Sequence, residues 1–432
     1  MIVKAVIGSA GLRLAGMFFG FLVGVQLARG LGTEGYGIYG LAMSVIALLT
    51  VPTEFGLPQL LTREVSAAQV ERNWGRLRGI LQWSTKIVLV TSALVTISVL
   101  TGLAATDNNL DSPLAMTLIA GLFMVPLVAL GNLRGASLSG LQHIVKGQLP
   151  DTLIRPASFS LLLFIAPLLT VPLSPAFAMG LGAVSAAFAF SLALIMLRKN
   201  LPPEIHATTP EIDSCVWWSS AIPMALTEGM RMLQGHLAVL LMGLMTTVVT
   251  VGLFKVAISV ALLIAAPITL LNVVGAPIIA RLHAQGEPAR SQRLLGWIAL
   301  GMASSSLAFT LPFVVAGEPL LSVVFGEEFG AANGTLLVLC GSAVINSFFG
   351  ANAALLNMTG HHTRVTRASG FSLVLLVFAS PPLITAQGAV GAALATALSM
   401  LAWNILMWRD AQQLLSLDTS LLHFLKSPRT HV

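Results

Sequence analysis

Charge is scarce in this chain. Only 9% of its 432 residues are Asp, Glu, Lys or Arg, 56% are hydrophobic, and the mean hydropathy is +0.88. No water-soluble domain hides that much apolar surface, so a soluble enzyme is excluded and lipid is the solvent. Cysteine is nearly missing too. Cys215 and Cys340 stand far apart, which excludes a disulfide scaffold and a thiolate metal site. His361-His362 has no further ligands nearby and reads as a solvated pair at a helix end, so no metal is expected. There is no G-x-x-x-x-G-K-[ST], hence no nucleotide-hydrolysing loop. Gly35-Tyr36-Gly37-Ile38-Tyr39-Gly40 matches G-x-G-x-x-G, but no strand precedes it and it opens an apolar helix, so no dinucleotide cofactor is read from it. Tyrosine occurs only at Tyr36 and Tyr39, where anchoring at a membrane interface is a sufficient role. With no cofactor signal, energy must come from a proton or sodium gradient or from the substrate's own gradient.

What is present is a series of apolar runs, each near the roughly 20 residues that cross the hydrocarbon. Twelve candidate spans follow: 7–29, 36–61, 80–103, 113–138, 149–171, 176–197, 217–243, 248–276, 294–316, 331–357, 370–385 and 388–408. The first, interrupted by Arg13 and continuing past any cleavage site, reads as an uncleaved helix rather than a signal peptide. Lys and Arg sort to one side: Lys4, Arg63, Arg72, Arg76, Arg78, Lys146, Arg198, Lys199, Arg281, Arg290, Arg293, Arg364, Arg367, Arg409, Lys426 and Arg429. The opposite loops hold Arg29 among Glu34, Asp107, Asp111, Glu318, Glu327 and Glu328. The positive-inside rule then puts both termini in the cytoplasm, with Trp83, Trp217, Trp218, Trp297 and Trp408 at the cytoplasmic edge. The same distribution explains the net charge of +6 without nucleic acid, because the basic residues flank membrane segments.

The longest internal polar break, Arg198 to Asp213, separates six spans from six. It suggests an N-terminal lobe at 1–197, a cytoplasmic linker at 198–216, a C-terminal lobe at 217–408 and a cytoplasmic tail at 409–432. Gly37–Val45 (GIYGLAMSV) returns as Gly252–Val260 (GLFKVAISV), and only Gly40 against Lys255 breaks the match. Each copy runs into a proline-broken stretch (Pro52 and Pro58; Pro267 and Pro277) that ends in Arg63 or Arg281. Two similar halves of equal orientation predict a pseudo-two-fold axis along the membrane normal and a substrate path between them, with these prolines as hinges.

Ionisable groups inside the spans are the candidate site, because a bare charge at mid-bilayer costs about 2.5–3.5 kcal/mol. The basic ones are Arg13, Arg134, Arg155, Arg231 and Lys255; the acidic ones are Glu54 and Glu228. A cavity of positive potential suits a phosphate or diphosphate, which arginine grips bidentately. Alternatives stay open at several positions. Glu228 and Arg231, three apart, can neutralise each other, which would withdraw Arg231 from a ligand. Arg134 and Arg155 lie within snorkelling reach of the cytoplasmic headgroups. Glu54, between Pro52 and Pro58, can titrate, hold a cation or serve as a counter-ion.

The run from Leu27 to Glu64, LARGLGTEGYGIYGLAMSVIALLTVPTEFGLPQLLTRE, closely resembles the opening of Wzx-type polysaccharide flippases. These belong to the multidrug/oligosaccharidyl-lipid/polysaccharide transporter superfamily. Leu133-Arg134-Gly135, Gly147-Gln148-Leu149-Pro150 and Ile154-Arg155-Pro156 look like the same family's fourth and fifth spans. The C-terminal half agrees mainly in layout. The resemblance implies an all-α polytopic membrane protein of two six-helix lobes meeting in a V around a central cavity. Members carry undecaprenyl-pyrophosphate-linked oligosaccharide from the cytoplasmic to the periplasmic leaflet of the bacterial inner membrane, for O-antigen, capsule or exopolysaccharide. Implied partners are the lipid-linked oligosaccharide, membrane lipids, a polysaccharide polymerase and a chain-length regulator. A cation-coupled multidrug pump of the same superfamily is the first alternative, and would favour acidic cavity residues. A membrane-embedded glycosyltransferase or ligase is the second, but no extramembrane loop here is long enough for a catalytic domain.

Overall fold

In hydrocarbon every backbone N–H and C=O needs an internal partner, so an apolar chain of this kind folds as helices. The computed structural model describes residues 2–105, 111–169 and 172–426, and all regular structure among them is helical. Asp107 and Arg429, and the side chains of Lys4 and Lys426, lie outside what is described. The helices are α1 (Ile2–Glu54), α2 (Leu57–Glu71), α3 (Trp74–Ala105), α4 (Pro113–Leu122), α5 (Met124–Gly140), α6 (Ile144–Leu149), α7 (Arg155–Ile165), α8 (Pro175–Asn200) and α9 (Ser214–Met245). They continue as α10 (Val248–Ile264), α11 (Ala266–Ala284), α12 (Pro288–Phe325), α13 (Asn333–Phe348), α14 (Asn352–Met358), α15 (His362–Leu415) and α16 (Leu421–Lys426).

Eight helical stretches among the described residues are long and apolar enough to cross a bilayer. Two of them are far too long for one crossing. The stretch Gly8–Glu54 has 47 residues, about 70 Å of helix against a hydrocarbon core of about 30 Å. It breaks at Gly32 (φ 68°, ψ −177°), and the 54-residue α15 breaks at Gly388 (φ 56°, ψ −124°). Positive φ costs glycine nothing, which is why the turns fall there.

The expected bend near Pro52 is a full interruption. α1 stops at Glu54, Phe55 and Gly56 are both left-handed (φ 45° and 71°), and α2 restarts at Leu57. Pro58 sits in the first turn of α2, where a missing N–H leaves no bond unmade. The Thr91 hydroxyl of α3 donates to the Thr53 carbonyl (3.1 Å), which sits at the end of the broken helix. Pro267 likewise opens α11 after a one-residue break at Ala265, while Pro52 and Pro277 lie inside their helices.

Contacts divide the chain into two compact units, Met1–His236 and Leu237–Val432, so the polar linker and the first part of α9 are counted with the first. In the first unit α1 packs on α4, α5 and α7, and α5 packs on α2 and α8. Its core of Leu57, Leu60, Leu61, Leu77, Ile80, Leu133, Leu138 and Trp217 is fully shielded. Trp217 and Trp83 are therefore core residues rather than the interfacial anchors their position suggests, whereas Trp297 is exposed. In the second unit α13 packs between α12 and α15, with α10 on α13 and α11 on α12. Large apolar side chains such as Phe164, Phe188, Val315 and Phe378 stay exposed, as a lipid-facing surface requires.

Candidate functional site

The first unit encloses a cavity of about 250 Å³. Its wall is open because small residues line it: Gly131, Gly135, Ala136 and Ser139 of α5, Gly147 of α6, and Ala186 and Ala189 of α8. α5 and α6 approach through glycine on both sides. A Cβ on Gly135 would stand 2.5 Å from the Gly147 carbonyl oxygen, and one on Gly147 would stand 2.4 Å from that of Gly135. Polar groups enter from Asn132, Gln148, Asp151, Thr152 and Arg155.

The last three lie on or beside a π-helical turn, Pro150–Ile154, that joins α6 to α7. Pro156 has no N–H, so the chain cannot continue the α-helical ladder there, and the Arg155 N–H bonds the Pro150 carbonyl instead. A second, more open cavity of about 400 Å³ shares Gln148 and Thr152 and is otherwise lined by Arg13, Gly16 and Met17 of α1. Gln148 is held by the Ser9 hydroxyl (2.7 Å).

The expected site residues distribute as follows. Arg13 is half-buried, faces its cavity and makes no ion pair among the described residues. Arg155 lines the smaller cavity but is paired with Asp151 at 2.9 Å. Arg231 is locked on Glu228, through Nη2 to Oε1 and through Nε to Oε2 (3.1 Å), and the Gln59 amide donates to the same carboxylate (3.3 Å). Arg134 is turned away from both cavities; it donates to the Thr85 hydroxyl of α3 at 3.0 Å, and its Nε is buried without a partner. Lys255, half-buried on α10, belongs to the second unit and has no ion pair among the described residues.

Glu54 accepts a 2.6 Å bond from the Asn132 amide and has Asp151, Glu228, Arg155 and Arg231 as its charged neighbours. The corner where α1 breaks is thus a mixed-charge cluster, not a bare cationic one. Sequence reasoning missed Asp151, Asn132, Gln148 and Thr152. Asp151 was findable, four residues before Arg155 and between two prolines, whereas Asn132 and Thr152 carry no local signal.

At the rim of the first unit, outside the spans, Glu64 is almost fully shielded between two arginines. Arg63 donates through Nε (3.2 Å) and Nη2 (2.9 Å), and Arg76 through Nε (3.1 Å) and Nη2 (2.6 Å). Burial by itself raises the Glu64 carboxyl, but the two guanidinium groups outweigh it and hold its pKa below the ordinary value.

These features define an all-helical, multi-pass membrane protein. In fold it is similar to a multidrug-resistance MATE transporter of the MOP superfamily solved inward-facing (TM-score 0.76, 13% identity, 97% of this chain and 99% of that one). It is also similar to the lipid II flippase MurJ in an inward closed conformation (TM-score 0.69, 12% identity, 95% and 87%). A third likeness is a MOP-superfamily transporter from Pyrococcus furiosus (TM-score 0.64, 13% identity, 98% and 97%).

Residues 2–283 match the family model described as "Polysaccharide biosynthesis protein", and the chain belongs to that family. A curated relative, stage V sporulation protein B of Bacillus subtilis (strain 168), is 30% identical over 146 residues. That match spans 32% of this chain and 27% of the relative's length.

Proposed function

We propose that this protein is a flippase that moves undecaprenyl-pyrophosphate-linked oligosaccharide from the cytoplasmic to the periplasmic leaflet of a bacterial inner membrane. The observation that carries the reading is the family match over residues 2–283. The breaks at Gly32 and Gly388, with the shorter helices, support twelve crossings in two six-helix lobes, and the Lys and Arg distribution supports cytoplasmic termini. The transport cycle in this reading is a rocking of the lobes, with Pro52, Pro58, Pro267 and Pro277 as the hinge residues.

Arg13 is the primary diphosphate contact, since it is the cation of the first unit that faces a cavity without a carboxylate. Lys255, on α10 of the second unit, is a further cation proposed for a phosphate oxygen. Arg155 and Arg231 exchange their carboxylates for phosphate oxygens when cargo arrives, which frees Asp151 and Glu228 to take up a proton or cation beside Glu54. That exchange is the coupling to a proton or sodium gradient. A polymerase and a chain-length regulator would receive the delivered chain.

The test is leaflet exchange of polyprenyl-diphosphate oligosaccharide by the reconstituted protein. Arg13→Ala removes a charge-assisted bond of about 1.5–3 kcal/mol, so exchange falls by roughly 10- to 100-fold while the protein still inserts. Exchange at the wild-type rate in Arg13→Ala refutes the site. The acidic corner of Glu54, Asp151 and Glu228 favours a second reading, cation-coupled drug efflux. Resistance conferred on a drug-sensitised strain, without polymer export, would establish that one instead.

A further inference from the structure

The polar segment between α8 and α9 is docked, not slack. Ile205 is buried in the core of α2, α3 and α5. Arg78 donates to the Thr208 carbonyl (2.6 Å), the Glu211 N–H to the Gly75 carbonyl (3.0 Å), and the Asn73 amide to the Glu211 carboxylate (3.1 Å). The seat depends on glycine, because a Cβ on Gly79 would lie 1.8 Å from the Glu211 carbonyl oxygen. The first half of α9 continues the contact. Trp217 packs on Trp83, and Trp218 sets its edge against both Trp83 (5.4 Å between centroids) and Phe55 (5.2 Å). Gly56 lies so close to α9 that a Cβ there would meet the Ala225 nitrogen at 2.6 Å and the Ala221 oxygen at 2.8 Å. Arg63 reaches Ser220 (2.9 Å), and Gln59 reaches Glu228.

These contacts converge on the Phe55–Gly56 corner. Phe55 holds a left-handed backbone, a conformation that a non-glycine residue keeps only where its surroundings fix it. We propose that residues 203–228 are a clasp that positions the Phe55–Gly56 corner, and through it the Glu54 carboxylate, and that stays seated on the first unit throughout transport. Trp218 is the positioning residue: it braces the Phe55 ring, and the next residue back is Glu54, held on Asn132. The groups facing Glu54 are Asn132 of α5, Asp151 and Arg155 of the π-helical turn and α7, and Glu228 and Arg231 of α9. This inference rests on the reading that Glu54 serves in coupling.

Two experiments with the full-length reconstituted protein test it. Trp218→Ala should displace the pH profile of leaflet exchange on the order of one unit. Trp218→Phe, which keeps an aromatic edge for Phe55, should restore the wild-type profile. A Trp218→Ala protein that is slower by the same factor at every pH overturns the positioning role. Separately, Arg63→Cys/Ser220→Cys in a Cys215→Ser/Cys340→Ser background is bridged with a short bis-methanethiosulfonate. Exchange should be unchanged by the bridge; loss on bridging with recovery in dithiothreitol shows that the clasp opens and overturns the proposal. Glu54→Gln keeps the two readings apart, since a normal rate and pH profile in that variant defeats the coupling role while the bridging result still judges the clasp.

Discussion

Removal of the Glu64 carboxylate isolates what the rim of the first unit contributes to stability. The carboxylate receives four guanidinium bonds, two from Arg63 and two from Arg76. Breaking a fully buried pair of this kind costs about 3–5 kcal/mol, chiefly because a charge is left stranded in low dielectric. Here the stranded charges would be the arginines, whose side chains are 50% and 33% exposed, so water repays part of the loss. The expected cost of Glu64→Ala is therefore about 2 kcal/mol, between the surface and buried limits. Over a unit of this size that is a fall of about 4–8 °C in unfolding midpoint, read by intrinsic tryptophan fluorescence in detergent.

The pH dependence has a definite sign. The folded-state pKa of Glu64 lies below its unfolded value of about 4.3, so its stabilisation is complete above that pH and disappears as pH falls through the folded value. Wild type and Glu64→Gln should differ by a constant amount from neutrality down to about pH 5, and should converge in stronger acid. A double cycle with Arg76→Ala should return a coupling of about 1–2 kcal/mol. A midpoint unchanged in Glu64→Ala, or strictly additive effects in the cycle, would refute the argument.

Two further outcomes follow from packing at other places. Gly147→Ala drives a methyl to 2.4 Å from the Gly135 carbonyl and 2.6 Å from the Ser139 hydroxyl, so α5 and α6 must separate; a loss of about 1–3 kcal/mol is expected in the same melt. Gly131→Ala, which lines the same cavity but meets nothing within 4 Å, should melt with the wild type and is the control. In the tail, burial raises the Asp418 carboxyl, but bonds from Trp408 (2.9 Å), Ser420 and Gln412 (3.0 Å) outweigh it and hold its pKa below the ordinary value. Asp418→Ala should loosen α16, whose Phe424 ring lies over Gly296, and limited proteolysis should then cut the tail several-fold faster at neutral pH.

The bends were legible because proline and glycine act locally. Pro58 lacks an N–H wherever the rest of the chain goes, so the stretch ending in Pro52-Thr53-Glu54-Phe55-Gly56-Leu57-Pro58 could be read as a corner before any helix was placed. Apolar run length is equally local, which is why the helical membrane class followed from composition. The fate of each charge was not local. The sequence left Arg231 either free or neutralised by Glu228, and Arg155 either in the cavity or snorkelling; the fold closed Glu228 on the one and set Asp151 beside the other, both at helical spacing. Arg134 sits in a family motif, yet it leaves the cavity because the adjoining face of α5, through Gly131, Asn132, Gly135 and Ala136, is the one that lines it.

The linker shows the same limit from the opposite side. Its prolines and polar residues describe a loop correctly, but they say nothing of the surface it lies on. The signal lay elsewhere, in Gly75 and Gly79, one helical turn apart on α3, which leave a flat strip for another backbone. In a membrane chain, hydropathy fixes where segments go, since leaving water dominates the energy of each span. Which charges stay free for a ligand depends on pairs worth only a few kcal/mol, and those are settled by tertiary neighbours. Arg13 follows from that rule: no carboxylate reaches it among the described residues, which is why its cavity is the one proposed for an anionic head group.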